Sequence, residues 1–175
     1  MNIFVLDSDP KIAASYHCDQ HLHKMVLESA QIVSTAMIQR GFHIPGLYRQ
    51  THPNHPCTRW AAASNNNISW ICELAAELDQ IRQSVSNCGS HASMEIIKLV
   101  SDYLSPTAFP LTSPSNHTPF IFAGPAIISI RPGSTIEHYK QYYRKKHNNW
   151  LLDKGAGMSY KGRPVPDFMA DLVTT

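Results

Sequence analysis

Polar residues recur early in the chain at an interval that strands do not use. His21, Lys24, Glu28, Gln31 and Thr35 follow one another at steps of three and four, which puts them in one stripe of a helix. The flanks are apolar: Met25 and Ile32 border one edge, Leu27 and Ile38 the other, and Leu22, Val26, Ala30, Val33 and Met37 fill the far side. A solvated helix face is broad, whereas this wedge takes only about a quarter of the circumference. The spacing predicts a helix whose polar wedge faces a pocket.

The rest of the pattern supplies a frame. Ile3 to Leu6 reads as a short strand or an anchored extended segment, and Asp9-Pro10 as the start of a short helix running towards Asp19. Gly41 stops the main helix, and Pro45-Gly46 marks a loop. Asn54 or a neighbour caps one continuous helix from Pro56 through Trp60, Ile68, Ile71, Cys72, Ala75 and Leu78. Asn65, Asn66 and Asn67 sit within it, and either face water or make bonds that matter. After a turn at 87–90, Ile96, Ile97, Val100 and Leu104 form the stripe of a third helix. Four prolines between 105 and 119 predict a long loop or lid. Phe120 to Phe122 and Ala126 to Ile130 read as buried extended pieces. Ser134 and Glu137 form a capping box for a fourth helix carrying Tyr139, Tyr142, Tyr143 and Trp150, and a glycine-interrupted basic tail follows.

These elements predict a mainly α fold: one compact helical bundle over residues 1–175, with long loops and at most a few short strands. Composition agrees, since 43% hydrophobic and 16% charged residues are ordinary for a globular domain. The four cysteines show no CxxC spacing and read as buried free thiols. No apolar run reaches the roughly 18 residues that mark a membrane span, so no membrane partner is expected. The N-terminus lacks the basic region of a signal peptide, and a cytoplasmic protein is expected.

Charge changes the picture locally. The formal net charge is only +2, yet Arg131, Lys140, Arg144, Lys145, Lys146, Lys154, Lys161 and Arg163 supply eight of the 15 basic residues. This region is either a solvated basic face or a surface that attracts phosphates. The tyrosines and Trp150 beside it serve as core or as base-stacking groups.

Chemistry centres on Glu28, a carboxylate among apolar neighbours with Lys24 and His21 one and two turns away, suited to act as an acid or base. An exposed Lys24–Glu28 pair is the plain structural alternative. THPNHPC, with His52, Asn54 and His55, offers a possible opposite wall. His17, His21, His52, His55 and Cys57 are metal-ligand types, but neither segment completes a metal motif, and no metal or other cofactor is expected. The absence of a phosphate-binding glycine loop and of a GxSxG elbow removes the kinase, P-loop and serine-hydrolase readings.

Four blocks, MNIFVLDSDP, CDQHLHKMVLESAQ, LYRQTHPNHPCTRW and EHYKQYYRKKH, resemble a family of short bacteriophage proteins, which would place the chain in host cytoplasm. More distantly, DQHL with a glutamate nine positions after the aspartate is similar to the active-site helix of pyrimidine-dimer DNA glycosylases of the endonuclease V type. An NHP element followed by tryptophan, here Asn54-His55-Pro56 and Trp60, belongs to the same likeness. The resemblance implies a helical DNA N-glycosylase/AP lyase acting on a damaged or modified base, in which an N-terminal amine attacks sugar C1′. Glu28 would be the essential glutamate and His21 the nearby histidine. Asn2 is a poor signal for methionine removal, so Met1 would supply the amine. Lys24, Gln31, His52, Asn54, His55, Trp60 and Lys145 would contact DNA or a nucleotide-like ligand. The family helix carries arginines where Met25, Leu27 and Ser29 stand, pointing to a small pocket instead of a broad DNA face. A metal-dependent hydrolase of nucleic acid or nucleotides, and a non-enzymatic binder of a host factor or small nucleotide, are the alternatives.

Overall fold

The computed structural model describes residues 1–105, 117–129 and 133–173. Among the described residues the regular structure is helical and no strand forms. Helix α1 spans Pro10–Ser15, α2 Asp19–Gln39, α3 Pro56–Ala62, α4 Asn65–Ser86 and α5 Met94–Tyr103. A one-turn helix α6, Ala126–Ser129, precedes α7, Thr135–Lys154, and a 3-10 turn covers Asp167–Met169. Helix α2 packs against α3, α4 and α5, with α1 lying on α4. Leu22, Met25, Val26, Ile32, Val33 and Met37 of α2 are all but fully buried, and Trp70, Ile71, Leu74 and Leu78 of α4 form much of the facing layer.

Local signals set the helix ends. The Asp9 carboxylate accepts the N–H groups of Lys11 and Ile12 (2.8 and 3.2 Å), and the Ser134 hydroxyl accepts that of Glu137 (3.3 Å). Gly41, at φ +84°, follows the end of α2. Cys18, Cys57 and Cys72 are free and buried, and Cys88 is free and partly exposed.

Four sequence expectations are corrected. The first helix stops at Ser15, well short of Asp19. Ile3 to Leu6 is buried but forms no strand, because the Asn2 side chain accepts the N–H groups of Ile3 and Phe4 (2.8 and 3.0 Å) and bends the backbone, with Phe4 at φ +39°. The helix expected from Pro56 through Leu78 is two helices, with His55 capping α3 and Ser64 capping α4. Asn67 seals the break: it is buried, and its amide donates to the Trp60 carbonyl (2.6 Å) and to the Thr118 hydroxyl (2.8 Å). Ala126–Ser129 is helical instead of extended, the Pro125 carbonyl accepting the Ile128 N–H (3.0 Å). The proline-rich loop at 105–119 lies mostly outside the described residues, as does Ile130. Its end is anchored where the Trp60 indole N–H donates to the Pro119 carbonyl (3.0 Å).

The basic C-terminal segment is packed back onto the start of α2. Asp19 accepts the Ser159 hydroxyl (2.9 Å), the Lys161 N–H (2.8 Å) and the Arg163 guanidinium (2.7 Å). Burial works to raise the Asp19 carboxyl, but the bonds from Arg163, Lys161 and Ser159 outweigh it and hold it below the usual carboxylate range. A lowered carboxyl stabilises the fold above the ordinary carboxylate range, and the contribution is lost as pH falls through the lowered value. Asp19→Asn is expected to cost about 2 kcal/mol at pH 7, since it weakens charge-assisted bonds to a half-buried arginine. Urea unfolding at pH 7 and pH 3 checks this, and the gap between variant and wild type should narrow in acid.

Candidate active site

The polar wedge of α2 divides into two halves. Towards its C-terminal end the Thr35 hydroxyl accepts the Thr51 N–H (3.1 Å), and the Gln39 amide donates to the Pro53 carbonyl (2.9 Å). This end anchors the loop that carries THPNHPC. The other end, with His21, Lys24 and Glu28, borders a cleft of about 200 Å³.

Glu28 is the hub of that cleft. Its Oε2 accepts the Asn2 backbone N–H at 2.6 Å and stands 3.8 Å from the Met1 α-amino nitrogen. Its Oε1 lies 3.6 Å from Lys24 Nζ. The Met1 and Glu28 side chains are 4% and 12% exposed, so the pair stands against buried side chains, whereas Lys24 is 62% exposed at the rim. The same asparagine turn that prevents a strand directs Asn2 N–H at Glu28, and the Asn2 amide donates to the Ala123 carbonyl (2.7 Å). Phe4, Tyr142 and Lys146 complete much of the wall. With the α-amine, Lys24 and Lys146 facing one carboxylate, the lining favours an anionic ligand.

His21 is buried at 1% exposure, its ring stacked on Phe4 with centroids 4.8 Å apart. Its Nδ1 shares a 2.6 Å hydrogen bond with the Tyr143 hydroxyl, which also accepts the Cys18 N–H (2.9 Å). Burial first, then the positive forms of His17, Lys146 and Lys24, hold His21 well below its ordinary value. At neutral pH the ring is uncharged, suited to hydrogen-bond a sugar or base but not to pair with a phosphate as a cation. The Tyr139 and Tyr143 hydroxyls are pushed well above 10, chiefly by burial, and remain protonated.

The other expected site residues are spread around this cleft. His55 is half-buried; burial, the α-amine and His52 lower its ionisation while Glu28 raises it, which places it within electrostatic reach of the pair. His52 is exposed, at φ +47°, and bonded to the Thr51 hydroxyl (2.7 Å). Asn54 and Trp60 line a separate cleft of about 420 Å³ with Pro56, Arg59, Pro119 and Ile121. Gln31 is half-buried on α2. Lys145 is exposed and does not line the Glu28 cleft; its neighbour Lys146 does, because one residue turns the helix by about 100°. Among the described residues no three His, Cys, Asp or Glu side chains gather as a metal donor set. The role of Asn2 was not foreseen, although asparagine before an apolar run is a turn signal. Comparison with family models, curated proteins and solved structures finds no match to this chain.

Proposed function

We propose that this protein is an amine-dependent lyase or N-glycosylase acting on a nucleic-acid sugar, with Met1 as nucleophile and Glu28 as acid and base. The observation that carries the reading is the α-amine 3.8 Å from a carboxylate in a cleft with excess positive charge. Attack requires the neutral amine, and the Glu28 carboxylate beside it is the base that takes its proton.

Glu28 accepts the ammonium proton, and the freed nitrogen bonds to C1′ as the bond from C1′ to the base breaks. The base leaves with the proton given up by the attacking nitrogen. Protonated Glu28 then passes its proton to the sugar ring oxygen, opening the ring and leaving an iminium between C1′ and the Met1 nitrogen. The regenerated carboxylate takes a C2′ proton, and the electron pair expels the 3′ phosphate. Water hydrolyses the imine and frees the amine. Lys24 and Lys146 attract the phosphates, while neutral His21 orients the sugar.

Borohydride trapping on abasic-site DNA and on UV-treated DNA tests this reading. The expected result is a covalent adduct on the peptide that begins with Met1, whose mass also reports the mature N-terminus. No adduct with the wild-type protein, where a known lyase reacts, overturns the imine mechanism. A non-enzymatic binder predicts that the Glu28 carboxylate is dispensable, a difference that turnover measurements resolve.

A further inference from the structure

The C-terminal half of α7 carries an arrangement that the cleft chemistry does not use. Trp150 is half-buried and meets the His21 ring edge-on, with centroids 5.4 Å apart, so it stands beside the wall of the Glu28 cleft. Lys146, itself in that wall, lies with Nζ 5.1 Å from the Trp150 ring centroid, and Lys154 lies 5.3 Å from it. These lysines are one turn before and one turn after the tryptophan, about 12 Å apart along the helix axis. Among the described residues neither has a carboxylate partner within ion-pair distance, and Lys24 adds a third ammonium nearby, itself paired with Glu28. Burial first, then the charge of Lys24 and more weakly that of Lys154, makes protonated Lys146 less favourable, with Glu28 opposing them, and a bound anion relieves the repulsion among the lysines.

Both ammonium groups lie over the Trp150 ring, and a base that takes their place on it would leave them to its phosphates, so the set matches the chemistry of a nucleotide strand. The face of a base is free for stacking only when it is unpaired, since a duplex presents edges and backbone. We propose that Trp150, flanked by Lys146 and Lys154, is a stacking platform for an unpaired base at the mouth of the Glu28 cleft, and that the protein takes single-stranded nucleic acid. This rests on the nucleic-acid reading of the cleft and names the strand form it accepts.

Fluorescence anisotropy with a labelled oligothymidylate, alone or annealed to its complement, tests the platform. The single strand is expected to bind at least about tenfold more tightly than the duplex, and Trp150→Ala to weaken it about tenfold or more. Trp150→Phe should recover part of that loss, and Lys154→Ala should lower the slope of log affinity against log salt by about 0.7. Equal affinity for single strand and duplex overturns the proposal, as does unchanged single-strand binding by a Trp150→Ala protein with native circular dichroism. Thymidine monophosphate competing as well as the oligonucleotide also overturns it. The two readings fail separately: absence of a borohydride adduct with the Trp150 pattern present removes the imine chemistry, and an adduct without that pattern removes the platform.

Discussion

Glu28→Gln is expected to lower strand-cleaving turnover by about 10²- to 10⁴-fold, the range supplied by a positioned acid or base, with little change in thermal stability. Glutamine retains an oxygen able to accept the Asn2 N–H now held at 2.6 Å, so the N-terminal turn keeps its anchor. What it lacks, on the proposed mechanism, is the capacity to take a proton from the amine 3.8 Å away, pass it to the ring oxygen and then remove one from C2′. Glu28→Ala is the less informative variant, because it strands a buried backbone N–H at a cost of about 1–3 kcal/mol. Single-turnover cleavage with circular dichroism on the same samples checks the expectation. Turnover within a few-fold of wild type would remove Glu28 from the chemistry and favour a binding role.

Acidification is expected to weaken the fold well before most carboxylates are protonated, and His17 is the principal cause. Its ring is fully buried beside Phe4 and Tyr143, and Nδ1 donates to the Ala13 carbonyl at 2.8 Å. Nε2 is buried with no hydrogen-bond partner among the described residues, so a proton added there finds no acceptor. Burial therefore lowers the ring from its ordinary 6.5 to about 4, with the Ala13 bond opposing the shift and the Arg163 charge adding to it.

Above pH 6.5 folded and unfolded chains both carry this ring neutral, and no penalty arises. Below it the unfolded chain gains a proton that the folded chain refuses until about pH 4, so stability falls across that window. The expected loss from this ring is about 2 kcal/mol between pH 7 and pH 5, and about 3 kcal/mol when complete. His21, also held low, adds to the same trend. Urea midpoints at pH 7, 6 and 5 measure it. His17→Leu should be no more stable at pH 7, yet lose less on acidification; an unchanged pH dependence would show that His17 is not the group responsible.

What was legible in the sequence was what neighbouring residues determine. The stripe from His21 to Thr35, the Asp9 and Ser134 caps and the stop at Gly41 depend on contacts a few residues apart, and each stands where the spacing puts it. The split between α3 and α4 was missed because hydrophobic spacing continues across it, while Ser64 and Asn67 act on the backbone. The cleft was half legible: Glu28, His21 and Lys24 are local to one helix, but Ala123, Tyr142 and Lys146 reach them only through tertiary packing. The sequence does not separate Lys145 from Lys146, because α7 carries basic and aromatic residues around much of its circumference and pattern alone does not mark its buried face. Tyr139 and Tyr143 turn inward whereas Tyr142 and Trp150 remain half-exposed, dividing one sequence set between core and cleft.

The contacts that finish the cleft join distant parts of the chain. Asn2 bonds Ala123, Cys18 and His21 bond Tyr143, and Asp19 bonds Arg163. Closing such loops costs entropy before the contacts repay it, so they form late, whereas α2 and α4 can pair earlier through a shorter connection. During synthesis the amine and its glutamate therefore wait for α7 to emerge before the pocket has walls. A cleft walled by Asn2 and Lys146 takes shape only after most of the residues between them have been made.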